Sequence, residues 1–292
     1  MDTSAQETEM HRIREIVGYV ACGLVPVLFV AGALVFDQVT PPARPAKVAP
    51  APAIAQAAAE SGPAPIPARP VTAQELAALV EITTWTTVPG APPDTDSQAV
   101  TGGGVVHNRE PIPVYAAPGG PPIGRLPDKQ AANDTWLPIV TEQLGWIRVL
   151  LPSRPNGSTG WVTASDVQVA RTPYLVRVHL DALTVEVIRD GQPFGTWPIS
   201  PGKDSTPTPR GRTFVLAAIT DPKQSYSPVI LPLGAHSDVL TEFAGGVATV
   251  ALHTWPTESV MGTRASHGCV RIPDAAMKAL LSAPLGTLVI ID

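Results

Sequence analysis

Arg264-Ala265-Ser266-His267-Gly268-Cys269-Val270-Arg271 is the stretch that decides the fold, read together with Ala251-Leu252-His253-Thr254-Trp255 upstream of it. Cys269 is the one cysteine outside an N-terminal apolar run, so it has no obvious disulfide partner. A thiol beside glycine and histidine, with a second histidine upstream, is the material of an activated nucleophile. The thiolate is the reactive form, and an unperturbed thiol with a pKa of about 8.5 is mostly protonated at neutral pH. A neighbouring imidazole can take that proton and hold the ion pair. Gly268 permits a tight backbone turn, so that amides near Gly268 and Cys269 face a developing oxyanion. A zinc site built from His253, His267, Cys269 and His236 is the competing arrangement. The paired spacings such sites usually show, Cys-x-x-Cys or His-x-x-x-His, are missing, and no metal is expected.

Outward from this stretch, the flanks carry further pattern. Upstream lies Gly202-Lys203-Asp204-Ser205-Thr206-Pro207-Thr208-Pro209-Arg210-Gly211-Arg212-Thr213-Phe214, and downstream Leu285-Gly286-Thr287-Leu288-Val289-Ile290-Ile291. Leu175 to Leu180 and Thr184 to Ile188 alternate with period two, and Asp190-Gly191 is a two-residue hairpin turn. Phe214 to Ile219, Val247 to Leu252 and Val289 to Ile291 read as further strands, which puts His253 at a strand end. Asp274 is placed as the cap of a helix from Ala275 to about Leu281, with Met277, Leu280 and Leu281 on its buried side. Residues 220–246, rich in Gly, Pro and Ser, read as a long loop of the kind that forms lids; Tyr226 and His236 lie on it.

Taken in order, Thr-Pro-Thr-Pro-x-Gly, the strand-end histidine, Ser-His-Gly-Cys-Val-Arg and the last Gly-Thr-x-Val-x-Ile strand resemble the L,D-transpeptidase catalytic domain of the YkuD type, from about Tyr174 to Asp292. The resemblance implies a peptidoglycan-remodelling acyltransferase that works through a cysteine acyl-enzyme. It places the nucleophile on Cys269 and the general base on His253, with the backbone carbonyl of Thr254 orienting that base. It puts His267 and Gly268 at the oxyanion-hole backbone and its supporting contacts. Ser266, Arg271, Tyr226 and Trp255 are taken as substrate-binding. Some members carry Asn two residues after the cysteine where this chain has Arg271, so local substrate contacts are expected to differ. Stem peptides are the implied substrates, carbapenems the implied inhibitors, and no cofactor is required. Water as acceptor would make the same residues an L,D-carboxypeptidase. A non-enzymatic wall-binding adaptor is the other alternative, and the intact His253, Ser266, His267, Gly268 and Cys269 set argues against it.

The rest of the chain bounds its setting. With 20 Lys and Arg against 25 Asp and Glu, the net charge is −5, and no basic block stands out. Nucleic acid, which needs clustered cations, is excluded as a partner. Ile16 to Phe36 holds no charged residue, and a helix of that length spans about 30 Å, a bilayer core. A single-pass anchor over residues 1–37 is expected, with the catalytic domain outside the cytoplasm; a cleaved signal peptide is the rival. Residues 38–101 read as a proline- and alanine-rich linker with one short helix, opened by the capping box Thr72 and Glu75 and running to about Glu81.

Residues 102–170 show short alternating runs broken by Gly and Pro, the mark of a small antiparallel barrel. Val114-Tyr115-Ala116, Gly145-Trp146 and Gly160-Trp161-Val162 resemble a bacterial SH3-like domain, in which Trp136, Trp146 and Trp161 form a ligand platform or fill the core. Residues 171–292 complete the chain as the catalytic domain. The expected fold is therefore mainly β: a small SH3-like barrel plus a β-rich catalytic domain, behind one N-terminal transmembrane helix.

Overall fold

Two hydrophobic cores share one strand, and that sharing follows from a run of four apolar residues. In the computed structural model, which describes residues 64–243 and 246–292, Leu288–Ile291 is buried on both faces. Side chains alternate across a strand, so Val289 and Ile291 enter one core while Leu288 and Ile290 enter the other.

The strands in chain order are β1 (Gly104–His107), β2 (Ile112–Tyr115), β3 (Pro122–Leu126), β4 (Lys129–Gln130), β5 (Asn133–Asp134), β6 (Trp136–Gln143), β7 (Trp146–Leu150), β8 (Thr159–Thr163) and β9 (Gln168–Arg171). They continue as β10 (Tyr174–His179), β11 (Thr184–Arg189), β12 (Gln192–Pro198), β13 (Gly211–Phe214), β14 (Ile230–His236), β15 (Glu242–Phe243), β16 (Gly246–Val247), β17 (Thr249–Thr254), β18 (Val270–Ile272) and β19 (Leu288–Ile291). The helices are α1 (Ala73–Ala78) and α2 (Asp274–Leu280).

A seven-stranded sheet in the order β3-β2-β8-β7-β6-β1-β9 forms the N-terminal part. The strands of the expected small barrel are present, but among the described residues they stay an open sheet, with β3 and β9 as its two edges. Its apolar face is continued by Phe214, Leu216, Leu288 and Ile290 of the C-terminal part, so packing does the work that closure would otherwise do. The tryptophans divide between the two readings: Trp146 is buried, as a core filler would be, and Trp136 stacks on His107 at 4.9 Å.

Five strands in the order β12-β11-β10-β19-β13 build the main C-terminal sheet. Asp190 and Gly191 turn β11 into β12 with φ of 51° and 74°, the positive values a tight hairpin needs. A second sheet, β14-β17-β18, carries the His and Cys segments. Helix α2 buries Ala276, Met277, Ala279 and Leu280 against the core. Its N-cap is Pro273, with Asp274 in the first turn, and Leu281 is exposed. The cap differs from the sequence expectation by one position because the helix begins a residue earlier, and Leu281 is the C-cap, past the last helical residue.

Three expectations for irregular segments change. The 220–246 stretch is not one loop: β14 runs through it, pairs with β17, and buries Leu231, Leu233 and Ala235. On its other side β14 is bridged only at isolated points by residues 215–219, where the Leu216 amide donates to the Pro232 carbonyl at 2.9 Å. Helix α1 has the capping box but stops at Ala78, because Val80 and Ile82 turn to exchange backbone hydrogen bonds with Arg125 of β3 at 2.8 Å each. Residues 64–101, expected as linker, are tied to the body at several points, although α1 buries none of its residues. Ile82 and Val88 enter the N-terminal core, and Asp94 forms a buried bidentate ion pair with Arg212 of β13 at 2.6 and 2.7 Å.

The expected membrane anchor, Ile16 to Phe36, lies outside the described residues. Among the described residues no helix is long and apolar enough to cross a membrane.

Candidate active site

The parallel pairing of β17 with β18 aligns the chemistry. Leu252 faces Val270 and His253 faces Arg271, so Cys269 falls opposite Ala251, immediately before β18 begins. With a period of two, Ala251 and His253 point to the same side, while Leu252 and Val270 turn into the core. Cys269 and His253 therefore share one face and line the same cavity of about 500 Å³.

His253 is held from both sides. Its Nδ1 lies 2.8 Å from the carbonyl oxygen of Thr254, and that contact makes Nδ1 the protonated nitrogen and leaves the Nε2 lone pair as the acceptor. Thr254 is buried and fixed in turn: its amide donates to Ser227 Oγ at 2.9 Å and its hydroxyl to the Tyr226 carbonyl at 3.0 Å. The Tyr226 ring meets the imidazole edge-on at 5.0 Å, and Trp255 lies 6.0 Å from it. Arg271 stacks its guanidinium 3.7 Å above the Trp255 ring, which keeps a cation at the cavity wall without a carboxylate partner at that point.

The cysteine turn is braced by the Thr-Pro-Thr-Pro segment. Thr208 Oγ1 donates to the Gly268 carbonyl at 2.8 Å and accepts from the Gly202 amide at 3.0 Å. Thr206 Oγ1 donates to the Ser266 carbonyl at 3.3 Å. Gly268 has φ of 122°, a conformation glycine adopts and other residues resist. Gly202 is equally constrained, since a Cβ there would lie 2.2 Å from the Thr206 carbonyl oxygen.

Ser266, taken from sequence as a substrate contact, borders the cavity but is fully buried. Its hydroxyl donates to the Cys269 carbonyl and accepts from the Gly268 amide, so it holds the turn's shape. The Gly268 amide is thereby committed to Ser266. His267 is exposed at the rim, with Nε2 3.4 Å from Lys203 Nζ.

Electrostatics alter one expectation. Burial pushes the Cys269 thiol above its ordinary value, against a backbone contact from Ala251 and the Arg271 charge, which pull it down. Burial pushes the His253 imidazole below its ordinary value; the Thr254 carbonyl opposes this and the Arg271 charge adds to it. Both directions favour a thiol beside a neutral imidazole over the ion pair. The free imidazole can accept the proton as the sulfur attacks.

The structure gathers Cys269, His253, His267, Gly268, Ser266, Arg271, Tyr226 and Trp255 around one cavity, with Thr254 directly behind His253. His236 is not among them. It is buried at the junction with the N-terminal sheet, where its backbone amide and carbonyl pair with the Asn156 side chain at 2.8 Å each. No group of three or more His, Cys, Asp or Glu among the described residues is arranged to hold a metal ion. Ser227, Thr206 and Thr208 were not singled out from sequence. For the two threonines the signal was in view, since both belong to the quoted Thr-Pro-Thr-Pro motif.

Residues 173–291 match the family model of the L,D-transpeptidase catalytic domain. Among solved structures, the chain resembles an L,D-transpeptidase from Mycobacterium smegmatis (16% identity, TM-score 0.34, covering 53% of this chain and 99% of that one). It also resembles L,D-transpeptidase 3 from Mycobacterium tuberculosis in complex with a faropenem-derived adduct (17%, TM-score 0.35, 48% and 75%). A third is the L,D-transpeptidase from Xylanimonas cellulosilytica (25%, TM-score 0.30, 42% and 62%). No curated protein sequence matches the chain.

Proposed function

We propose that the L,D-transpeptidase catalytic domain at residues 173–291 is a working cysteine acyltransferase that cross-links peptidoglycan stem peptides. The observation that carries this is the placement of Cys269 and His253 on one face of the paired strands β17 and β18, in one cavity, with His253 Nδ1 tied to Thr254. His253 Nε2 takes the thiol proton as Sγ attacks the stem-peptide carbonyl. Amides of the cysteine turn, that of Cys269 foremost, stabilise the tetrahedral oxyanion. The C–N bond breaks, and protonated His253 delivers its proton to the leaving amine. The thioester is then attacked by an amine of a second stem. The sulfur departs and regains a proton, and the product is a cross-link between the third residues of the two stems.

A cavity of mainly apolar lining suits this chemistry, because removing water protects the thioester from hydrolysis. Arg271, held over Trp255, is placed to meet a carboxylate of the stem. Carbapenems, whose strained lactam carbonyl resembles the scissile one, are proposed to acylate Cys269. The open N-terminal sheet is proposed as a diverged SH3-like module. The Ile16 to Phe36 run is proposed as the anchor that puts the catalytic domain outside the cytoplasm.

The test is incubation of the full chain with purified muropeptides, followed by mass analysis. Cross-linked dimers with loss of a D-amino acid are the expected product, absent in Cys269→Ser. A shortened stem without dimers would make the chain a carboxypeptidase, and unchanged stems with a folded protein would refute the enzymatic reading. Protease access to a C-terminal tag on intact cells tests the topology.

A further inference from the structure

Residues 64–70 read Ala64-Pro65-Ile66-Pro67-Ala68-Arg69-Pro70. Proline fixes φ at three of these positions, and each residue before a proline is pushed to extended conformation, so almost every residue is held near polyproline II. That helix has three residues per turn, which aims the carbonyls of residues i and i+3 the same way. Ile66 and Arg69 stand in this relation. The Ile66 carbonyl accepts from Trp146 Nε1 at 2.7 Å, and the Arg69 carbonyl accepts from the Tyr115 hydroxyl at 2.9 Å. The two rings, on β7 and β2, pack edge to face at 5.2 Å and are themselves buried.

The floor beside them is kept low by glycine. A Cβ at Gly119 would lie 2.8 Å from Ile66 Cγ2, and one at Gly145 would lie 3.0 Å from Pro65 Cβ. The segment itself stays outside: Ile66 is 50% exposed. Aromatic-lined grooves are how separate receptors dock proline-rich peptides in the polyproline II conformation.

We propose that the Tyr115–Trp146 ledge of the N-terminal sheet is a polyproline-peptide site, occupied by the chain's own residues 64–70. The proposal is independent of the catalytic reading. It makes the end of the proline-rich segment a releasable clasp. Opening it would release seven residues of extended chain, about 22 Å at polyproline rise.

The test uses a fluorescent peptide of sequence 64–71 added to the full chain. With Pro65, Pro67 and Pro70 all replaced by glycine, the ledge is vacated, and the peptide should bind saturably. The unsubstituted chain should bind about ten-fold more weakly, because a tethered segment competes at an effective concentration of order 1 mM. Adding Trp146→Phe to the glycine variant should weaken binding by about three-fold or more, one hydrogen bond's worth. A peptide with alanine in place of its prolines should not bind. Equal binding to the glycine variant and the unsubstituted chain, equal binding of the alanine peptide, or no binding to a glycine variant that melts like the parent would each overturn the site.

Discussion

Removing the Asp94 carboxylate tests whether residues 64–101 belong to the folded body. Asp94 and Arg212 side chains are 2% and 4% exposed, and their two hydrogen bonds are bidentate; Arg212 Nη1 also donates to the Ala99 carbonyl at 3.0 Å. Asp94→Ala strands a guanidinium that cannot lose its charge, a loss of about 3–5 kcal/mol. A cavity of about 140 Å³ adjoins the pair and lets water reach Arg212, which points to the lower end, about 3 kcal/mol. For a domain of this size that lowers Tm by about 10 °C. Replacing both partners, Asp94→Leu with Arg212→Met, removes the desolvated charges together and should fall within about 1 kcal/mol of the parent. Urea unfolding of Asp94→Leu, Arg212→Met and the double variant gives the coupling directly. A loss under about 1 kcal/mol for Asp94→Ala, or a double variant as unstable as the two singles summed, would refute the reasoning.

Further outcomes are expected. His236, buried and held down to about 4 chiefly by desolvation, stays neutral in the folded state while the unfolded chain takes up a proton. Stability present above about pH 6.5 should therefore drain as pH falls toward 4, by about 3 kcal/mol; urea midpoints across that range measure it, and His236→Gln should flatten the profile. Thr208→Val strips the Gly202 amide and the Gly268 carbonyl of their partner, so about 2 kcal/mol of stability and most Cys269 acylation should be lost, read by calorimetry and adduct mass. Gly268→Ala meets no clash but a strained φ, so the protein should fold with a loss of about 1–3 kcal/mol while thiol reactivity collapses in a labelling assay. With the thiol pushed up and the imidazole down, alkylation of Cys269 should climb above neutral pH without a low-pH plateau. His253→Ala should slow acylation by a carbapenem far more than it changes that alkylation profile.

What could be read from the residues was local. Alternation announced β10 and β11, the Asp190-Gly191 pair announced their hairpin partner, and Ser-His-Gly-Cys with its upstream histidine named the cavity's polar members. Long-range partners hid the rest. The proline content of residues 64–101 reports a preference for extended chain, yet the groups that bind it, Trp146, Tyr115 and Arg212, are distant in sequence. Strand β14 was masked because Pro232 and Gly234 interrupt the buried Leu231, Leu233 and Ala235 series. Ser266 could not be told from a substrate contact, since only the turn's geometry shows where its hydroxyl is spent.

The double-faced burial of β19 limits what can be exchanged in this protein. A catalytic piece cut near residue 171 would keep Val289 and Ile291 covered but bare Leu288, Ile290, Phe214 and Leu216 on the opposite side. Such a contiguous apolar stripe favours self-association. Grafting this catalytic part onto a different partner module would therefore require a replacement apolar face, not only a new linker. The two parts are bound to change together, and a substitution at Leu288 that suits one core must still fit the other.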